Sequence, residues 1–202
     1  MLSKTISTLA AILLGVGLAA CETKVESVVV DATFRPTASI QEVMNSVVDP
    51  SADAIWDAVS TTTTKDGAEV KQPSSDDEWK TLRHQAVSLA EASNLLVIEG
   101  RKVAHEGGQL DDSGTPGILT APEIEKAIAA NRPAYVKAAH DLHDTAVAVL
   151  AAIDTKQPEA VIAAGGKIER ACEQCHVQFW YPHGQAPQAA AFPKAVVAGT
   201  SQ

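Results

Sequence analysis

Apolar residues recur at intervals of three and four along most of the chain, the spacing that puts them on one face of a helix. Ile40, Val43, Met44, Val47, Ala54, Ile55, Ala58 and Val59 predict a first helix over about 38–62. It should bend near Pro50, which lacks an N–H and crowds the preceding turn. The run Thr61 to Thr64, with Asp66-Gly67 beyond, ends it. Ser75 followed by Glu78 forms a capping box for a second helix, whose stripe of Trp79, Leu82, Ala86, Leu89, Leu96 and Val97 carries it to about residue 105. Gly107 and Gly108 close it. Thr120, with Pro122 and Glu123, opens a third helix through Ile124, Ile128, Tyr135, Ala139, Leu142 and Leu150 to about Ile153, bent at Pro133. A fourth begins at Pro158, carries Val161, Ile162 and Ile168, and reaches about Trp180, where Tyr181-Pro182 stops it. No run of period two competes, so the pattern predicts an all-α chain folded as an antiparallel four-helix bundle.

The chain ends fall outside this pattern. Lys4 precedes an apolar stretch with Ile12, Leu13, Leu14, Val16 and Leu18, too short to span a membrane with ordinary flanks. It ends in Leu18-Ala19-Ala20-Cys21, which resembles the lipobox of bacterial lipoproteins. Residues 1–20 then read as a lipoprotein signal peptide, Cys21 as the acylated first residue, 21–37 as a tether, 38–184 as the folded domain and 185–202 as a tail. The alternative is a plain secretory signal cut near Ala20. Either address is periplasmic: the first holds the protein on a bacterial membrane by lipid on Cys21, the second leaves it soluble.

Composition narrows the class without changing the fold. At 202 residues there is room for one packed domain, and 4% aromatic residues argue against a Tyr- and Trp-rich sandwich or barrel. Sixteen Lys and Arg stand against 25 Asp and Glu, a net charge of -9, and no basic stripe suits a phosphate backbone. Nucleic acid is excluded as a partner on that ground.

The chemistry gathers at the end of the fourth helix. Cys172-Glu173-Gln174-Cys175-His176 has the spacing of the c-type haem attachment motif. On a helix, residues i, i+3 and i+4 share a face, so both thiols can form thioethers with the porphyrin vinyl groups while the imidazole reaches iron. A zinc site would need a further ligand pair at metal-binding spacing, and a thioredoxin-type pair would open a helix within a strand-helix-strand unit. One covalent haem c is the cofactor this motif implies.

A four-helix domain with this motif near the end of its last helix resembles the class II cytochromes c, the cytochrome c prime group and its six-coordinate relatives. Val43 to Pro50, Ala54-Ile55-Trp56, Ala90 to Leu96 and Phe179-Trp180-Tyr181-Pro182 look like a set of exported bacterial members of that group. The likeness covers about 38–184. It implies a haem-binding electron carrier rather than an enzyme, working between redox partner proteins, and leaves room for a homodimer.

Met44 is the expected sixth ligand. In an up-down-up-down bundle the start of the first helix and the end of the last lie together, and Met44 and His176 stand about 9 Å and about 8 Å from those ends at 1.5 Å per residue. The resemblance points to the same residue, since six-coordinate class II cytochromes use a Met on their first helix. The competing role for Met44 is to fill a core gap. His105 is the substitute ligand; His84, His140 and His143 read as surface or packing residues and His183 as a loop residue. Without a sulfur ligand the chain would be a five-coordinate haem protein that binds or senses NO or CO. A peroxidase would need polar acid-base groups over the iron, where the first helix offers apolar ones.

Overall fold

The computed structural model describes residues 34–182 apart from Asp66; Cys21, His183 and the assigned signal peptide and tail lie outside the described residues. The chain is mostly helical. Ser39 caps the first helix in a complete box: its hydroxyl accepts from the Glu42 N–H at 3.1 Å, and the Glu42 carboxylate accepts from the Ser39 N–H at 2.8 Å. From there α1 (Ile40–Val43) passes into a π-helical turn, Met44–Val48, and continues as α2 (Asp49–Ala58).

The predicted bend at Pro50 is thus a π turn. Pro50 has no N–H to offer the Ser46 carbonyl and its ring crowds that oxygen; the turn takes in an extra residue, and the Asp49 N–H bonds Met44 O. The buried stripe records the insertion, stepping five residues from Val43 to Val48 before resuming through Ala52, Ile55 and Val59.

Three further boundaries differ from the sequence pattern. The first helix ends at Ala58 rather than near 62, because Ser60–Thr64 and Gly67–Lys71 pair as an antiparallel hairpin, β1 and β2, from Ser60↔Lys71 to Thr64↔Gly67. The β-branched threonines suit a strand, and Gly67 at φ +131° takes a conformation that L side chains avoid. The second helix, α3 (Asp76–Leu96), stops well before residue 105. Its last turn closes through Ile98 N–H to Leu95 O and Arg101 N–H to Ile98 O, with Gly100 at φ +78°. The third is two helices, α4 (Ala121–Ala130) and α5 (Arg132–Asp154), broken at Asn131, with Pro133 in the first turn of α5, where a missing N–H costs nothing. The last, α6 (Pro158–Phe179), falls where expected.

Neighbouring long helices run in opposite directions. Arg83 pairs with Asp154 at 2.9 Å while Tyr135 Oη donates to Leu96 O, joining opposite ends of α3 and α5. The Tyr135 and Phe179 rings meet edge to face at 5.4 Å, joining the start of α5 to the end of α6. Trp56 Nε1 donates to Gly165 O at 3.1 Å, joining the end of α2 to the early part of α6. α2 also packs on α3, and Ile55, Leu89, Ile124, Ile153 and Ile168 are fully buried in one shared core.

Candidate cofactor-attachment site

Cys172, Cys175 and His176 lie in the last two turns of α6, each half-buried. Both thiols are free. Burial pushes the Cys172 thiol up to about 12, helped by the negative charge of Asp49, and Cys175 up to about 11. Burial also lowers the His176 imidazole below its ordinary value, against the opposing pull of Glu173 and Asp112. The donor set at neutral pH is therefore two protonated thiols and a neutral imidazole.

Aromatic rings flank the histidine. Those of Trp180 and Tyr181 stand 6.2 and 6.1 Å from it, centroid to centroid. Their positions follow from how α6 ends, since the N–H groups of Trp180 and Tyr181 both bond His176 O, at 2.8 and 3.0 Å. Tyr181 Oη donates to Glu173 Oε2 at 2.6 Å, and Trp180 Nε1 donates to Asp112 Oδ2 at 3.0 Å. The other oxygen of that carboxylate, Asp112 Oδ1, is buried and has no hydrogen-bond partner among the described residues.

Asp112 belongs to the long connection between α3 and α4, which folds back over the end of the molecule. Asp111 next to it accepts from Asn45 Nδ2 at 2.6 Å, and its N–H bonds Gln41 Oε1 at 2.9 Å. Leu119 N–H bonds Trp180 O at 2.9 Å. One pair of adjacent aspartates thus ties the turn that carries Met44 to the helix end that carries His176. Met44 itself is half-buried against the core, and no hydrogen bond or ring contact joins it to His176 among the described residues.

The remaining histidines are placed elsewhere. His105 is exposed in the connection rather than on the second helix, and its Nε2 meets Glu42 Oε2 at 2.7 Å. His84 and His140 are exposed on α3 and α5, and His143 lies beside Asp144. Among the described residues no three His, Cys, Asp or Glu side chains converge as a metal-ion site, so Cys172, Cys175 and His176 lie along a helix face rather than around a point. The partners the sequence pattern misses are Asp112, Asp111 and Asn45. Nothing in local spacing marks them, because their role arises from a loop returning across a distance of many residues.

A haem c fits this donor set. Two protonated, unbonded thiols are what thioether formation with the haem vinyl groups would consume, and a neutral imidazole is what its iron would take. Comparison with protein-family models, with curated proteins and with solved structures gives no match for this chain.

Proposed function

We propose that this chain is a monohaem c-type cytochrome of class II type, an antiparallel four-helix bundle that carries one electron between redox partners outside the cytoplasm. The observation that carries the reading is the placement of Cys172, Cys175 and His176 on one face of α6, with free protonated thiols and a neutral imidazole. Haem, when bound, supplies the ferric and ferrous states between which the electron passes. The chain supplies the rest. Cys172 and Cys175 tether the group, and His176 is its proximal ligand. Trp180 and Tyr181, fixed by Asp112 and Glu173, limit the approach of water to the imidazole and restrict its rotation. Met44 is the sixth ligand in this reading, supported by the bonds from Asn45 and Trp180 to adjacent loop residues. Lipid on Cys21 anchors the protein at the periplasmic side of a membrane; among the described residues no helix is long and apolar enough to cross one.

The test is an absorption spectrum of the purified ferric and ferrous protein, followed by extraction with acidic acetone. Haem that stays with the polypeptide after denaturation is the expected result. Complete extraction, or a colourless protein from a host competent in cytochrome c maturation, sinks the reading.

A further inference from the structure

A cavity of about 410 Å³ opens between the start of α1, the end of α3 with the segment after it, α4 and the start of α5. Ile40, Leu96 and Ile128 give it an apolar wall, and Arg101 and Arg132 bring two guanidinium groups to it. Arg101 donates through Nε to Leu95 O at 2.8 Å and through Nη1 to Ala38 O; Arg132 donates through Nη2 to Val97 O and lies 5.6 Å from the centre of the Tyr135 ring. Backbone carbonyls fix both groups in position without neutralising them. Among the described residues neither arginine forms an ion pair, whereas Lys102 on the same wall pairs with Glu125 at 3.3 Å.

Two half-buried guanidiniums without a carboxylate are out of keeping with a chain of net charge -9. Each carries five N–H donors, of which the carbonyls take two from Arg101 and one from Arg132. Both favour the ionised form of the Tyr135 hydroxyl, so they act on one shared region. The lining carries three cationic and two acidic side chains, Glu99 and Glu125 being the acids, which favours a ligand with a single negative charge over a phosphate dianion.

We propose that Arg101 and Arg132 form the polar end of a site for an amphipathic carboxylate, whose apolar body lies against Ile40, Leu96 and Ile128. A planar carboxylate matches the planar donor fork, and burial beside an apolar wall strengthens the pairing. The carboxylate could come from a free aliphatic acid or from haem, whose own carboxylates would be held on the same chain; Tyr135 lies between Arg132 and Phe179 of α6.

The experiment uses the full chain as purified, with octanoate and 1-octanol as probes in calorimetric titration. Saturable octanoate binding at least tenfold tighter than octanol, weakened about tenfold or more in Arg132→Gln and lost in Ala129→Trp, assigns the site to a free acid. Ala129 is exposed beside the cavity, so filling it with Trp leaves both arginines in place if Arg132→Gln fails to fold. No octanoate binding, together with a shift of the resonance Raman band of the haem carboxylates in Arg132→Gln, assigns it to haem. Equal binding of octanol and octanoate overturns the proposal, as does silence in both measurements. The octanoate arm needs no haem, so it decides this site even if the spectra show the cytochrome reading to be wrong.

Discussion

A thiol crowded by apolar neighbours keeps its proton, and both cysteines of α6 do so. In the haem-free protein, made in a cytoplasm that cannot attach haem, their folded-state values stand above 9, at about 12 for Cys172 and about 11 for Cys175. The folded state therefore favours the thiol. This contribution to stability is complete below pH 9 and is lost as pH rises through about 11 to 12. Iodoacetamide should modify the native thiols at least about a hundredfold more slowly than free cysteine at pH 8, Cys172 more slowly than Cys175, and alkaline urea titrations should find the haem-loaded form spared this loss, since thioethers do not ionise. His176 has the opposite sign: its lowered value makes the neutral imidazole the stable form, a contribution present above about 6.5 and lost on acidification. At Met44 the electron-carrier and gas-binding readings diverge. With sulfur on iron, the ferric protein is low spin, and Met44→Ala opens the site to CO and lowers the potential. A protein that is high spin and binds CO before any substitution removes Met44 from the ligand set, and low-spin iron persisting in Met44→Ala points to a nitrogen donor. Trp180→Phe removes the one hydrogen bond that the Asp112 carboxylate accepts among the described residues and should cost about 1.5–3 kcal/mol in urea unfolding. That Cys172, Cys175 and His176 share one face of a helix is legible in the sequence, because it depends only on spacing within α6. Asp112 is not, because its partner is Trp180, on another element.

At the scale of the element, the long amphipathic stripes place α6 and the start of α3, capped at Ser75, but run past the end of α3 at Leu96. They were less informative where proline and glycine act. Pro50 and Pro133 each signalled a disturbance, and the chain resolved one as a π turn and the other as a break at Asn131, a choice that rests on packing around each turn. The hairpin escaped notice for another reason: β2 is exposed along its whole length, so no alternation of apolar and polar residues marks it. Glycine in α6 gives a direct test of packing. A Cβ on Gly165 would meet Trp56 Cδ1 at 3.2 Å, while one on Gly166 would meet nothing within 4 Å. Gly166→Ala should stabilise by about 0.5–1 kcal/mol through helix propensity alone. Gly165→Ala gains the same but must displace an indole held by its bond to Gly165 O, and should be net destabilising by about 1 kcal/mol. Thermal unfolding of the two variants should move in opposite directions.

For the whole molecule, the proposed attachment to a membrane rests on Cys21, outside the described residues. Cys21→Ser should move the protein from the membrane fraction to the soluble fraction, and mass spectrometry of the unaltered protein should find acyl groups on that cysteine. A soluble, unacylated parent protein would return the leader to an ordinary secretory signal. The connection across Asp111 and Asp112 also sets an order in time. Its anchors are Gln41 and Asn45 near the first helix and Leu119 and Trp180 at the last. A chain that emerges from its N-terminus cannot fasten this strap until α6 has arrived, so the strap is among the final contacts to form. For that interval the two thiols stand on a helix whose end is still open. Any enzyme that must reach Cys172 and Cys175 works against the closing of the fold, and a variant with a weakened strap, such as Asn45→Ala, would hold that interval open for longer.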